Sequence, residues 1–159
     1  MGKDKVVQAA RELGLEVDVR TLEKSTRTVS EAATAVGCTD AQIAKTMVFV
    51  ADGDPVLVVA SGAHRVDPDA LLDIFDVAEV RQASPDEVRV ATGYPVGGVS
   101  PLGCAGLSVA FDEDLMQFDR VFVAGGDGNT LFEVEPRMLA ERIGAVVARV
   151  GERRAPARA

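Results

Sequence analysis

Histidine is almost missing from this sequence, and His64 is the only one. Any Ser-His-Asp arrangement would have to run through it, and no Gly-x-Ser-x-Gly elbow is present to supply the serine. Cysteine is nearly as scarce. Cys38 and Cys104 stand alone without a Cys-x-x-Cys pair, so the chain lacks the ligand set of a structural zinc site, and no metal or cofactor is expected. Two isolated cysteines read as buried thiols of a reducing compartment, so the expected location is cytoplasmic. No apolar run reaches the roughly 18–20 residues that cross a bilayer, so no membrane contact is expected. Positive charge is also short: 17 Lys and Arg against 25 Asp and Glu leave a net charge of −8. That balance argues against the broad basic face of a nonspecific nucleic-acid binder, and DNA is not an expected partner.

Apolar residues make up 47% of the 159 residues, ample for one core, and residues 1–150 read as a single domain followed by a short basic tail, 151–159. The tail carries Arg153, Arg154 and Arg158, with Arg149 just before it. Val6, Val7, Ala10 and Leu13 share one helix face that ends at Gly14, and Leu15, Val17 and Val19 alternate like a strand. Ser30 is placed to cap a helix over 31–36 closed by Gly37, and 40–44 adds a helical turn. Residues 46–50 and 55–60 flank Asp52-Gly53-Asp54 as a hairpin, apolar enough for burial on both faces. Asp67-Pro68 starts a helix to Phe75, and Ser84-Pro85-Asp86-Glu87 is a capping box with proline at the first helical position. Strands are expected over 107–111, 120–124 and 131–134, then a helix from Pro136 to Ile143 and a strand over 145–150. Hairpins mixed with helical crossovers predict a mixed α/β domain.

The richest local signal is Thr92-Gly93-Tyr94-Pro95-Val96-Gly97-Gly98-Val99-Ser100-Pro101-Leu102-Gly103. Four glycines and two prolines exclude a helix and disfavour a central strand. A stiff loop with bare amides suits an anion or a carbonyl oxygen. It is neither a dinucleotide fingerprint nor a Walker A loop. Lysine is confined to Lys3, Lys5, Lys24 and Lys45. Lys45 directly precedes an apolar strand, where it either snorkels to water or presents a fixed ammonium to phosphate or ester oxygens. His64, in a loop after a strand, is either a satisfied loop residue or a donor or base at a site rim.

Gln42-Ile43-Ala44-Lys45-Thr46-Met47-Val48-Phe49, the strand running into Ser61-Gly62, the glycine loop, and Val123-Ala124-Gly125-Gly126 with the Pro136 helix after it together resemble the YbaK/EbsC family of free-standing aminoacyl-tRNA deacylases. That family shares its fold with the editing domain inserted in bacterial prolyl-tRNA synthetases. The resemblance runs from about residue 20 to residue 150. It implies a mixed sheet, curled and partly barrel-like, surrounded by helices. It also implies a trans-editing hydrolase that cleaves the ester joining a wrong amino acid to the 3′ end of a tRNA. In that reading Lys45 is required for activity, and Gly97 and Gly98 hold the aminoacyl carbonyl and its developing oxyanion. Thr46, Gly62, His64, Val99, Ser100, Pro101, Ala124, Gly125 and Gly126 complete the substrate site. The attacking group is helped by the substrate itself, in keeping with the missing triad. The partners are the aminoacylated tRNA end and a synthetase.

Relatives acting on cysteinyl-tRNA are similar to one another in Ser-Gly-Gly-x-Arg-Gly, where this chain has Ala124-Gly125-Gly126-Asp127-Gly128-Asn129. The resemblance therefore leaves the amino acid open. A second reading is a non-catalytic module that binds an aminoacyl-adenosine, a nucleotide or a synthetase. A third is an esterase with His64 as base.

Overall fold

A computed structural model describes residues 2–152 as one eight-stranded mixed sheet with helices on both faces. The basic tail from Arg153 onward lies outside the described residues, whereas Gly151 still bridges Val66 and the Glu152 N–H donates to the Arg65 carbonyl. The elements are α1 (Gly2–Glu12), β1 (Arg20–Thr21), α2 (Val29–Val36), β2 (Ile43–Ala51), β3 (Asp54–Ser61), α3 (Pro68–Phe75), β4 (Val80–Gln82), α4 (Pro85–Thr92), β5 (Val109–Asp112), β6 (Val121–Ala124), β7 (Thr130–Val134), α5 (Pro136–Arg142) and β8 (Val146–Ala148). Short 3-10 turns cover Asp40–Gln42 and Glu113–Gln117.

The hairpin is the centre of the sheet. β2 and β3 pair antiparallel from Ala44↔Ser61 to Ala51↔Asp54. β3 is buried on both faces, and its residues divide by parity. Leu57 and Val59 join the larger core with α1, Tyr94, Phe111 and Leu139, while Val56, Val58 and Ala60 join a second core with Leu71 and Val150. Complete burial of a side chain such as Leu57 or Phe111 contributes about 1.5–3 kcal/mol. Parallel pairing of β3 with β5 and of β5 with β8 extends one side. On the other side β6, β7 and β1 follow in that order. The path is open, with β1 and β8 as its two edges. The mixed α/β architecture is as expected, but the strand order does not close and the barrel-like curl is absent.

Local signals explain most element ends. The Ser84–Glu87 capping box is formed in both directions, and Asp67 caps α3 with Pro68 in its first turn. Gly37 ends α2 in the left-handed region at φ 74°, which glycine enters without a Cβ penalty. The cap of α2 is Thr28 rather than Ser30: its hydroxyl accepts from the Glu31 N–H at 3.1 Å and donates to the Glu31 carboxylate. Residues 15–19 form no strand, because β7 offers partners only to Arg20 and Thr21. Leu15 and Val19 are nonetheless buried in the larger core. β4, which the sequence reading did not anticipate, is a short strand that pairs with Phe49–Ala51.

Candidate active site

The site follows from an interruption in sheet pairing. On the side away from β3, β2 is paired to β6 at Ile43 and Ala44 and to β4 at Phe49–Ala51. Lys45, Thr46 and Met47 lie between these partners without a strand of their own on that side. A narrow cleft of about 80 Å³ opens beside this stretch. Lys45, Thr46, Gly97 and Val99 line it, together with Thr26 and Arg27 from the segment leading into α2. Sequence reasoning named the first four as site residues and missed the last two.

Lys45 is half-buried, and its Nζ donates to the His64 carbonyl oxygen at 2.6 Å. Burial pushes its pKa below the ordinary lysine value, and the negative charge of Asp112 pulls it partly back. Asp112 is buried and fully engaged, accepting from the Ser61 N–H and the Asp114 N–H, each at 3.0 Å. The ammonium is thus held by a carbonyl and steadied by a carboxylate one step away, with donor capacity left over. This is a fixed point charge and not a snorkelling surface lysine.

The glycine loop is anchored at its base by Tyr94, which is completely buried and whose hydroxyl donates to the Leu102 carbonyl. Lys5 from α1 sits 4.3 Å above the Tyr94 ring and donates to the Thr92 carbonyl. Gly97 takes φ 86°, a region closed to most residues with a Cβ. Its N–H makes no hydrogen bond within the described residues. The Gly98 N–H, expected to share in carbonyl binding, already donates to the Pro95 carbonyl at 3.0 Å. Gly97 is therefore the free donor of the pair. Gly98 is bare for another reason: a Cβ there would meet the Asp127 backbone at 2.9–3.0 Å.

Several expected site residues serve packing. Ser100 is buried, and its hydroxyl accepts from the Leu102 N–H. Pro101 faces a different cavity, beside Cys104 and Ile143. At Gly62 a Cβ would meet the Asp40 carbonyl at 2.4 Å, and at Gly125 it would meet Val19 at 2.6 Å. Gly126 packs on the backbone of Gly2 at the start of α1. None of Ser100, Pro101, Gly62, Ala124, Gly125 or Gly126 is among the residues lining the cleft. From the 124–129 loop it is Asp127 and Gly128 that reach toward the site, against Gly98 and Arg27.

The His64 ring also turns to other partners. Its Nε2 lies 2.5 Å from an Asp114 carboxylate oxygen, and the ring packs against Gly151. The Ser61 hydroxyl donates to the Ala41 carbonyl, and among the described residues no serine hydrogen-bonds the His64 ring. His64, Asp112 and Asp114 bring one ligand atom each to within 4.8 Å of one another, a grouping the sequence did not suggest. A cation held there would share Asp112 with the Lys45 ammonium and compete with two backbone donors.

The Thr46 and Thr26 hydroxyls are buried and, among the described residues, have no hydrogen-bond partner. A buried unsatisfied hydroxyl costs about 1–3 kcal/mol. Thr46→Val is therefore expected to leave the melting midpoint unchanged or raise it; a fall of several degrees would show that the hydroxyl is satisfied in the folded chain.

Comparison with known proteins identifies the family. The aminoacyl-tRNA editing domain family matches residues 23–141. The uncharacterized protein YwhH of Bacillus subtilis (strain 168) is 38% identical over 128 residues, covering 79% of this chain and 81% of that protein. The proline--tRNA ligase of Geobacter metallireducens is 34% identical over 106 residues, covering 66% of this chain. The chain spans only 18% of that ligase's length and so corresponds to one portion of it. A crystal structure described as a candidate trans-editing enzyme for prolyl tRNA synthetase superposes with a TM-score of 0.88 at 38% identity, covering 94% of this chain and 96% of that one. Family match, sequence relatives and superposed fold converge on one conclusion: this chain belongs to the aminoacyl-tRNA editing domain family.

Proposed function

We propose that the chain is a deacylase that hydrolyses the ester of mischarged aminoacyl-tRNA at the 3′ end, acting in trans. The observation that carries this reading is the chemistry of the cleft wall. Its titratable side chains are Arg27 and Lys45, both cations; no carboxylate, imidazole or thiol lines it among the described residues. Such a wall can hold a phosphate and stabilise a developing oxyanion, and while both groups carry their protons it offers no proton acceptor. The reaction this favours is attack by water on the ester carbonyl, assisted by a group of the substrate. The carbon–oxygen ester bond breaks, the ribose oxygen leaves with a proton from the water, and the free amino acid departs. Lys45 faces the phosphate or the carbonyl, and the Gly97 N–H is the loop's available donor. Similarity to a portion of proline--tRNA ligases supports a synthetase as partner. Among the described residues no helix is long and apolar enough to cross a membrane.

The second reading is binding without turnover, which the alanine at Ala124, where relatives acting on cysteinyl-tRNA have a serine, would favour if it lay in the cleft. Ala124 is absent from the cleft lining, so its identity weighs less on catalysis. The discriminating experiment is a panel of mischarged tRNAs carrying alanyl, cysteinyl and seryl groups on proline and other tRNAs. At least one should lose its amino acid faster than in buffer. Saturable binding of an aminoacyl-adenosine amide with no ester hydrolysed would establish the binding module instead.

A further inference from the structure

Arg27 lacks a carboxylate partner, as Arg11, Arg137 and Arg142 also do among the described residues, but unlike them it lines the cleft beside Lys45. Arg20, Arg65, Arg81, Arg89, Arg120 and Arg149 each pair with a carboxylate. In a chain with 25 acidic residues that is the expected fate of a guanidinium. The Arg27 guanidinium makes no ion pair or hydrogen bond among the described residues. The nearby Glu31 carboxylate is occupied by the Thr28 and Ser25 hydroxyls. Yet the Arg27 side chain is not loose. Its stem crosses Gly97 of the glycine loop, where a Cβ would stand 2.9 Å from the Arg27 Cβ and Cγ. Its Nε crosses Gly128 of the second loop, where a Cβ would stand 2.4 Å away. The backbone behind it is fixed by the Thr26 N–H, which donates to the Gly128 carbonyl at 2.9 Å. Two bare glycines from different loops thus form a trough that holds an exposed, unpaired arginine at a cleft whose other cation is Lys45. A planar fork held in this way suits bidentate contact with a phosphate.

We propose that Arg27 is a substrate-binding residue that takes the phosphodiester next to the terminal nucleotide of the RNA, leaving Lys45 for the reacting end. This rests on the deacylase reading for its ligand, but its test does not depend on turnover. The probe is an RNA hairpin with a single-stranded CCA end, followed by fluorescence anisotropy across a salt series. A second hairpin replaces the last phosphodiester with an uncharged methylphosphonate. Arg27→Ala should weaken binding of the first hairpin about 10-fold and reduce the slope of log affinity against log salt by about 0.7, the value for one phosphate on a single strand. The methylphosphonate should cost the wild type the same factor and cost Arg27→Ala nothing further. Gly128→Ala, which keeps the charge but fills the trough, should fall between the two. Unchanged affinity and slope in Arg27→Ala, equal methylphosphonate losses in both proteins, or no RNA binding by the wild type would each overturn the proposal. A wild type that binds the hairpin yet hydrolyses no ester would instead sink the deacylase reading and leave Arg27 in place.

Discussion

Replacing Lys45 with methionine is expected to lower the single-turnover rate of ester hydrolysis by about 100-fold or more, the usual effect of removing a preorganised electrostatic group. The melting midpoint should hardly move. Methionine keeps most of the buried stem, and the ammonium itself opposes folding. Its folded pKa is lowered by burial, so the unfolded chain holds that proton more tightly. The opposition is present at neutral pH and fades as pH rises through the lowered value. The loss to set against this is one hydrogen bond from a charged donor to the His64 carbonyl, about 1.5–3 kcal/mol before its partial exposure to solvent is discounted. A variant that unfolds, or one that keeps its rate, would remove Lys45 from the centre of the mechanism.

Gly98→Ala is expected to destabilise the fold at the point where the two site loops touch. The atoms a Cβ would meet are the N, Cα and C of Asp127 at 2.9–3.0 Å, which cannot swing aside as a side chain can. Asp127 is itself tied down, since its carboxylate accepts from the Lys3 N–H and its N–H donates to the Thr130 hydroxyl. Overpacking of this kind costs about 1–3 kcal/mol. It should appear in urea unfolding as a lower midpoint at unchanged slope. Because Gly98 sits where the two site loops touch, the rate should fall as well. An unchanged midpoint would mean that the loops separate freely.

The hairpin, the capped helices and the order of the elements were legible because each rests on chemistry within a few residues. Asp67-Pro68, Ser84 to Glu87 and Asp52-Gly53 carry their own geometry. What was not legible depends on contacts distant in sequence. Strand-like alternation at 15–19 reflects burial against the core, without a partner strand. Gly62, Gly125 and Gly126 look like ligand-binding glycines until the structure supplies the backbone or side chain pressed against each. Lys45, Thr46, Gly97 and Val99 were named because the motif spans them, and they line one cleft. Thr26 and Arg27 sit before a helix cap that the sequence reading placed at Ser30. Moving the cap to Thr28 through its Glu31 partner would have drawn attention to the two residues ahead of it.

The proposed reaction is ester hydrolysis at a cleft whose titratable side chains among the described residues are Arg27 and Lys45. The most direct test is the first-order decay of a mischarged aminoacyl-tRNA with enzyme in excess, comparing wild type, Lys45→Met and His64→Ala. The expected result is decay well above buffer for wild type, decay near the buffer rate for Lys45→Met, and only a modest loss for His64→Ala. Decay abolished by His64→Ala and untouched by Lys45→Met would contradict it.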